Sequence, residues 1–224
     1  MKLLIVGYGK MGRLVEALAR DQGMEIGGCI DIDRGDWNAP ADVAIDFSTA
    51  DALKGNFGRY VSRSLPVVIG TTGWASDAEA LRAEAARAKL GVVAAPNFSI
   101  GVNVFERLVA EAARLMQAHP DYGAWIHELH HAAKRDAPSG TALTLRDAIM
   151  EAGYKRPIDV SSSRAGFVPG THTIGFDGSS DTIELTHTAR DRRGFAAGAL
   201  LAARWIQGRR GWYSMADVLG THNA

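Results

Sequence analysis

The sequence predicts an α/β protein, with a parallel-sheet domain followed by a second, α+β domain that contains a mixed sheet. Three observations predict it. Short, wholly apolar runs alternate with helix-like segments up to about residue 97, a glycine-rich turn follows the first of these runs, and later helices and strands come in unequal runs. Wholly apolar runs are typical of strands buried on both faces, and strand–helix alternation implies right-handed crossovers between parallel strands.

The first half of the chain is predicted to hold five strands separated by helices. An apolar stripe along RLVEALARDQG predicts a helix after the first strand, and Gly23 suits its C-terminal cap. Ser76 and Glu79 have the spacing of a capping box, which predicts a helix that runs to about Leu90. The strands are expected at residues 2–6, 24–31, 42–47, 66–70 and 91–96.

The second half has a less regular order, and the domain boundary is expected within 96–101. Ligands of open parallel sheets bind beyond the carboxyl ends of the strands, so functional residues of the first half are expected after each strand. In the second half, helices are predicted at 100–116, at 141–151 and from 195 onward, and strands at 125–131, 159–163, 171–175 and 182–188.

Composition excludes several classes of protein. The chain has 224 residues, 46% of them apolar and 22% charged, and its 25 Lys and Arg balance 25 Asp and Glu. This is an ordinary globular composition, and a neutral balance gives no electrostatic reason to expect a nucleic-acid partner. Cys29 is the single cysteine, so neither an internal disulfide nor a multi-cysteine zinc site is expected.

No targeting or membrane segment is expected. The apolar run that begins the chain ends at the glycine-rich turn, which makes it too short for a signal peptide. The stretch 195–206 contains Gly198 and Arg204 and is shorter than the ~20 residues that a membrane-spanning helix needs. We therefore expect a cytoplasmic protein with no membrane partner.

Residues Gly7–Gly12, GYGKMG, match the Gly-x-Gly-x-x-Gly pattern of dinucleotide-binding, Rossmann-like domains. The first glycine permits a tight turn, the second lets the backbone approach a pyrophosphate, and the third lets the helix pack on its strand. The helix N-terminus then offers N–H groups to phosphate. Such a motif alone is weak evidence, because glycines also form ordinary turns, but here it follows a predicted strand and opens a predicted helix.

Asp31 lies about 20 residues beyond this motif, where a carboxylate is suited to accept hydrogen bonds from ribose hydroxyls. A carboxylate there repels a 2′-phosphate, which favours NAD over NADP. Arg34 is close enough in sequence to offset that repulsion, and Asp33 competes for the ribose role. The alternative is that Asp31 only caps a loop.

The run Glu128–Leu143, ELHHAAKRDAPSGTAL, combines proton carriers with an anion-binding helix start. Pro138 suits the first turn of a helix, so Ser139, Gly140 and Thr141 are expected to direct N–H groups and hydroxyls at a carboxylate. Lys134 adds a full positive charge. The run lacks the His-Glu-x-x-His spacing of a zinc helix, and no metal is expected.

His130 or His131 is suited to exchange a proton near neutral pH. Adjacent residues of a strand face opposite ways, so the two histidines share one site only if the strand ends before them. The structural alternative is that both are half-exposed strand-end residues and that the following segment is simply an N-cap.

This run resembles the signature of the 4-hydroxy-tetrahydrodipicolinate reductase (dihydrodipicolinate reductase) family, whose Glu-x-His-His-x-x-Lys-x-Asp-Ala-Pro-Ser-Gly-Thr-Ala pattern matches Glu128–Ala142. Similar matches cover nearly the whole chain: DVAIDFS (42–48), VIGTTGW (68–74), APNFSIGVN (95–103) and THTARDRRGF (186–195). The resemblance implies NADH- or NADPH-dependent reduction of a cyclic dicarboxylate, 4-hydroxy-tetrahydrodipicolinate, in diaminopimelate and lysine biosynthesis.

The resemblance also implies domain and site roles. Residues 1–98 and 205–224 would form the dinucleotide-binding domain, and 99–204 the domain for substrate binding and assembly into a homotetramer. His130 would be the proton donor and acceptor and Lys134 a proton donor. His131, Ser139, Gly140, Thr141 and Arg192 would hold the substrate. The cofactor would contact Gly7, Tyr8, Gly9, Lys10, Met11, Gly12, Asp31, Gly70, Thr71, Thr72, Ala95, Pro96, Asn97 and Phe98.

Two departures from the family pattern concern the cofactor end. Ile32 stands where the family often has an arginine, and few residues separate Asp36 from Asp42. Two other functions share the first domain: a dehydrogenase acting on another substrate, such as an amino acid, and a dinucleotide-sensing protein without catalysis. A sensor would be expected to have lost the His130 and Lys134 pair, which is present here.

Overall fold

The strands form two sheets in the computed structural model, which describes residues 1–221. The strands are β1 (Lys2–Val6), β2 (Glu25–Ile30), β3 (Val43–Asp46), β4 (Val67–Ile69), β5 (Gly91–Ala94), β6 (Gly123–His130), β7 (Ile158–Arg164), β8 (Thr171–Asp177), β9 (Thr182–Thr188) and β10 (Gly211–Tyr213). The helices are α1 (Lys10–Asp21), α2 (Ala50–Ser62), α3 (Ala78–Ala88), α4 (Ile100–Met116), α5 (Gly140–Glu151), α6 (Arg193–Ile206) and α7 (Met215–Leu219).

The first sheet is wholly parallel, in the order β10-β5-β4-β3-β1-β2. Alternate residues of one strand pack into different layers: Leu3 and Ile5 contact the side that contains α1 and α6, and Leu4 and Val6 contact the side of α2 and α3. Burial on both faces explains the unbroken apolar runs and confirms the Rossmann-like prediction.

The second sheet is mixed, in the order β7-β6-β8-β9, with β6 parallel to β7 and antiparallel to β8. Residues of α4 and α5, among them Val109 and Ile149, form a core with Ile126 and Ile174 of the sheet. The predicted α+β arrangement is therefore present. No helix within residues 1–221 has the combined length and apolarity that crossing a bilayer requires.

Two compact units make up the chain. The second is Gly101–Asp191, and the first is Met1–Ile100 with the described residues from Arg192 onward. The boundary near 96–101 agrees with this division. The return to the first unit comes at Arg192, before α6, and not at 205 as predicted. The reason is that Ala196, Ala199 and other small apolar residues of α6 pack in the core of the first sheet.

Several local predictions were wrong or incomplete. Ser76 lies in a 3-10 turn, Ala75–Asp77, and α3 begins without a side-chain cap, so the expected capping box does not form. Helix α2 was not predicted, although the side chain of Thr49 caps it by accepting from the N–H of Ala52 at 3.3 Å. Strand β10 and helix α7 are short, and they too were not predicted.

Candidate active site

The glycine turn after β1 is shaped by the backbone around it. Gly7 has a left-handed φ of +83°, and a Cβ there would lie 2.4 Å from the carbonyl carbon of Phe47. A Cβ on Gly12 would lie 2.3 Å from the carbonyl oxygen of Gly7. At Gly9, in contrast, a Cβ would meet nothing within 4 Å. The fold requires the first and third glycines, whereas the space at Gly9 is open to a ligand.

The N-terminus of α1 has no side-chain cap. Its N-cap residue is Gly9, and its first turn contains no acidic residue. Its first N–H groups therefore keep their capacity to bind an anion, and the helix dipole adds a partial positive charge. Together with the open space at Gly9, this turn fits the pyrophosphate of a dinucleotide.

Asp31 and Arg34 form one short turn at the end of β2. Each backbone N–H donates to the other's carbonyl, with N···O distances of 3.0 and 3.3 Å. The Arg34 guanidinium lies 4.7 Å from the centroid of the Tyr8 ring, and Arg13 approaches the same ring at 5.6 Å. The predicted ribose carboxylate and the predicted compensating arginine are thus neighbours, while Ile32 is almost fully exposed.

A buried carboxylate, Asp46, joins the loops at the carboxyl ends of β3 and β4. It accepts from the N–H of Ser48 at 2.8 Å, from the hydroxyl of Tyr60 at 2.6 Å and from Thr71 Oγ1 at 3.0 Å. Asn56 Nδ2 donates to it at 3.2 Å. The hydroxyl of Thr71 therefore points into the protein, and its backbone carbonyl accepts from Nε1 of Trp74 at 2.6 Å. Sequence reasoning did not assign Asp46 to the site.

A cavity of about 320 Å³ opens beside the ends of β4 and β5. Among the other predicted cofactor residues, Gly70 packs on Phe47, since a Cβ there would lie 2.2 Å from its ring. The side chain of Phe98 belongs to the core, and Asn97 accepts from the N–H of Ser99 at 2.8 Å. Four predicted residues line the cavity with two tryptophans: Thr71, Thr72, Ala95, Pro96, Trp74 and Trp212.

In the second unit, Glu128 is the centre of a buried network. It is fully buried, and its two oxygens accept from Arg164 Nη2 at 2.7 Å and from Nη1 at 3.0 Å. The N–H of Ser139 donates to it at 3.2 Å, and Nδ1 of His130 forms a short contact with Oε2. Although burial raises the pKa of Glu128, hydrogen bonds led by that of Arg164 lower it to about 2. We call Glu128, His130, Ser139, Arg164 and His172 the Glu128 cluster.

Sheet register brings this cluster together. His130 lies beside Arg164 in the parallel pair β6–β7, and Glu128 lies opposite His172 in the antiparallel pair β6–β8. Because side chains two residues apart share a face, Glu128 and His130 both point to the buried side. The strand ends at His130, so His131 is not held to the opposite face of the sheet.

Both buried histidines have a pKa below that of free histidine, so each stays neutral down to a lower pH. Burial lowers the pKa of His130, opposed by its hydrogen bond to Glu128 and reinforced by the charges of Lys134 and Arg164. Burial, followed by the charge of His130, lowers the pKa of His172 to about 4. Their rings are 5.1 Å apart, edge to face.

Ser139 differs from its predicted role. Its hydroxyl caps α5 by accepting from the N–H of Ala142 at 3.2 Å and lies 3.1 Å from Nε2 of His172, while its own N–H donates to Glu128. The side chain of Ser139 is therefore buried inside the protein, where it caps the helix and contacts His172. Pro138 precedes this cap and lies outside the first turn of the helix.

Of the remaining predicted groups, Gly140 and Thr141 begin α5, and Lys134 lies on the loop before it. The Nζ of Lys134 contacts both oxygens of Asp136, at 2.7 and 2.9 Å. Gly140 is exposed, with nothing within 4 Å of a Cβ placed there, and Thr141 follows it, half-buried. Arg192 belongs to the first unit.

Glu128, His130 and His172 also have metal-ligand spacing, with their ligand atoms within 4.8 Å of one another. Both oxygens of Glu128 already accept from Arg164, and the guanidinium charge opposes a cation at the same place. This arrangement favours a hydrogen-bonded network over a metal centre. Arg164 and His172 were not predicted, because they come from other strands.

Comparison with known proteins gives one consistent family. The model described as "Dihydrodipicolinate reductase, N-terminus" matches residues 1–98, and "Dihydrodipicolinate reductase, C-terminus" matches residues 101–219. A protein named 4-hydroxy-tetrahydrodipicolinate reductase from Christiangramia forsetii is 39% identical over 98% of this chain and 98% of its own. One of the same name from Myxococcus xanthus is 43% identical over 81% of this chain and 73% of its own.

A solved structure agrees in fold. The dipicolinate-bound dihydrodipicolinate reductase from Paenisporosarcina sp. TG-14 has a TM-score of 0.82 at 21% identity, covering 97% of this chain and 98% of that one. An engineered D-amino acid dehydrogenase bound to NADP⁺ has a TM-score of 0.52 at 15% identity, covering 100% and 97%. From the family matches over both units, this chain belongs to the dihydrodipicolinate reductases, a family of oxidoreductases.

Proposed function

We propose that this chain catalyses the NAD(P)H-dependent reduction of 4-hydroxy-tetrahydrodipicolinate to tetrahydrodipicolinate in diaminopimelate and lysine biosynthesis. The names of its relatives support the reaction. The observation that carries the proposal is the second unit's arrangement: a histidine hydrogen-bonded to a buried carboxylate, an ammonium on the next loop and an exposed glycine as the first residue of a helix. Overall, one hydride and one proton enter the ring and one water leaves.

The first unit fits a nicotinamide dinucleotide. When bound, the cofactor supplies the hydride. Gly9 and the α1 N-terminus would hold its pyrophosphate, Asp31 its ribose, and the loops at Gly70–Thr72 and Ala95–Phe98 its nicotinamide end. Asp31 favours NADH, but the Arg34 guanidinium near the same turn is suited to pair with a 2′-phosphate, so we propose that both cofactors are accepted.

The second unit would bind the dicarboxylate and move the proton. His131, Gly140 and Thr141 would hold carboxylates at the α5 N-terminus, where helix N–H groups and dipole favour anions, with Arg192 as a further contact. Lys134, now paired with Asp136, would stabilise the electron density that hydride addition builds on the ring. The hydride would go to the ring carbon that loses water, and His130 would deliver the proton to the ring carbon next to it.

Assembly and location follow from the family resemblance. We expect a cytoplasmic homotetramer built through the β7-β6-β8-β9 sheet, with the first unit binding the cofactor and the second the substrate and its partner subunits. Light scattering coupled to size-exclusion chromatography measures the oligomer, and a monomer would contradict this expectation.

The proposal is tested by following NADH and NADPH oxidation after adding the freshly made product of the preceding synthase. Lys134→Ala is expected to lower kcat by about 10²–10³-fold, since it removes one charge-stabilising donor, and to leave the Kd for NADH unchanged. Lys155→Ala, an exposed lysine of the same unit, is the matched control. A dinucleotide-binding protein without catalysis would bind NADH and oxidise none, and equal losses of kcat and NADH affinity would count against a catalytic Lys134.

A further inference from the structure

Arg164 is the residue that connects both proposed catalytic groups. Besides the two bonds to Glu128, its Nη2 donates to the backbone carbonyl of Asp136, and its Nη1 donates to that of Ser163 at 2.7 Å. Asp136 in turn pairs with Lys134. One guanidinium therefore anchors the carboxylate behind His130 and the loop that carries Lys134.

Glu128 determines which nitrogen of His130 carries a hydrogen. With a pKa of about 2, its carboxylate is ionised at neutral pH and accepts hydrogen bonds only. The contact with His130 is made through Nδ1, so Nδ1 must be the donor. Nε2 is then the ring nitrogen without a protein partner in residues 1–221, and the backbone of Gly170 leaves it room, since a Cβ there would come within 2.8 Å of it.

We infer that Arg164 is a positioning residue for the proposed reaction: through Glu128 it keeps Nδ1 of His130 protonated and leaves Nε2 to exchange the proton with the substrate, and through the carbonyl of Asp136 it holds the Lys134 loop. Protonated His130, with hydrogen on both nitrogens, gives the Nε2 proton to the substrate carbon next to the one that receives the hydride, and neutral His130 with hydrogen on Nδ1 remains. This inference rests on the proposed function for its catalytic part and on geometry for the tautomer.

Charged and titratable groups from four places face His130 and influence its protonation. Glu128 on its own strand holds Nδ1, Arg164 comes from β7, His172 from β8, and Lys134 from the following loop. Arg164 and Lys134 both favour loss of the proton, and Glu128 opposes it. Loss of Arg164 is therefore expected to raise the pH at which His130 releases its proton.

The experiment compares Arg164→Lys and Arg164→Met with the wild-type chain. Lysine keeps the charge but lacks the planar fork that spans both oxygens of Glu128 and the Asp136 carbonyl. We expect kcat to fall about tenfold in Arg164→Lys and about 100-fold in Arg164→Met, with the KM for substrate within about threefold. The basic limb of the pH–kcat profile should move to higher pH in Arg164→Met.

Imidazole ¹⁵N NMR reads the tautomer of His130 without substrate. We expect hydrogen on Nδ1 in the wild type and a mixture of tautomers in Arg164→Met. Arg156→Met is the matched control, because Arg156 also donates to backbone carbonyls and has a buried Nε without a partner, yet it lies outside the Glu128 cluster. It should keep the wild-type tautomer and pH profile even where it loses stability.

The two proposals fail separately. A His130 spectrum and pH profile that are the same in wild type, Arg164→Lys and Arg164→Met would overturn the positioning role. A neutral wild-type His130 with its hydrogen on Nε2 would overturn it as well. If Arg164→Met does not fold, Arg164→Lys decides: wild-type kcat in that variant overturns the role. A wild-type chain that shows Nδ1–H but never oxidises NADH would instead count against the proposed reaction.

Discussion

The glycine turn of the first unit and the Glu128 cluster of the second are built differently. The turn is suited to bind an anion through its backbone, and the cluster is suited to move a proton through its side chains. The turn is made of backbone, and its working position, Gly9, faces open space. The cluster is made of side chains that are almost all buried and paired with one another. A backbone site tolerates changes in sequence that keep its shape, whereas a paired cluster depends on each member, because removing one leaves another charge or donor unsatisfied.

The largest effect should follow from breaking the ion pair in the cluster. Arg164→Met leaves the fully buried Glu128 without its cation, which should lower the free energy of unfolding by roughly 3–5 kcal/mol. Arg156→Met, which loses bonds to carbonyls only, should lose about 1–2 kcal/mol. Urea denaturation measures both, and equal losses would mean that Glu128 does not depend on Arg164.

The cluster also predicts a pH dependence of stability. The pKa of His172 is about 4 in the folded chain against 6.5 as its ordinary value, so the unfolded chain binds more protons between these values. The free energy of unfolding is therefore not reduced by His172 above pH 6.5 and should fall as the pH drops toward 4. The total loss is roughly 3 kcal/mol, at about 1.36 kcal/mol per unit of pKa difference. Glu128, with a pKa of about 2 against 4.5, adds a further loss below pH 4.5.

Unfolding measured by urea from pH 7 to pH 4 checks this. His172→Gln should reduce the slope between pH 6.5 and 4 and leave the part that His130 and His187 contribute, since burial lowers the pKa of both. His119→Gln, a change at an exposed histidine of the same unit, should retain the wild-type slope. An unchanged slope in His172→Gln would contradict the assignment.

Substitutions in the turn should separate folding from binding. Gly7→Ala meets the backbone of Phe47 and a left-handed φ, and it should cost about 2–3 kcal/mol of stability. Gly9→Ala should leave stability within about 1 kcal/mol, yet it fills the space for the pyrophosphate and should weaken NADH binding. Thermal denaturation and NADH fluorescence titration give the two readouts. A stable Gly7→Ala, or a Gly9→Ala that binds normally, would break the comparison.

The smallest effect concerns the choice of cofactor. Arg34→Ala should raise the Kd for NADPH about tenfold, which corresponds to ~1.4 kcal/mol, and change that for NADH less than twofold. Arg59→Ala, a change at another arginine that stacks on an aromatic ring of the first unit, is the control. Equal changes for both cofactors would mean that Arg34 acts on Tyr8 and not on the 2′-phosphate.

The sequence predicted features whose causes are local. The strand, glycine turn and helix at the start of the chain were foreseen because neighbouring residues decide each of them, as was the helix Ile100–Met116. Arg164 and His172 were missed because only sheet register brings them to Glu128. The contacts of Ser139 with Glu128 and His172 were not foreseen for the same reason, since these partners lie on other elements. Helix α2 was obscured by Gly55 and Gly58, which weaken a helical pattern.

Asp46 has a dynamic consequence for the cofactor loops. Its carboxylate accepts hydrogen bonds from the loop after β3, from α2 and from the loop after β4. Each of these segments must therefore give up a bond to this one carboxylate in order to open. Their amide protons should consequently exchange with solvent as one group, at a common rate, and occupancy of the dinucleotide site should slow that whole group together.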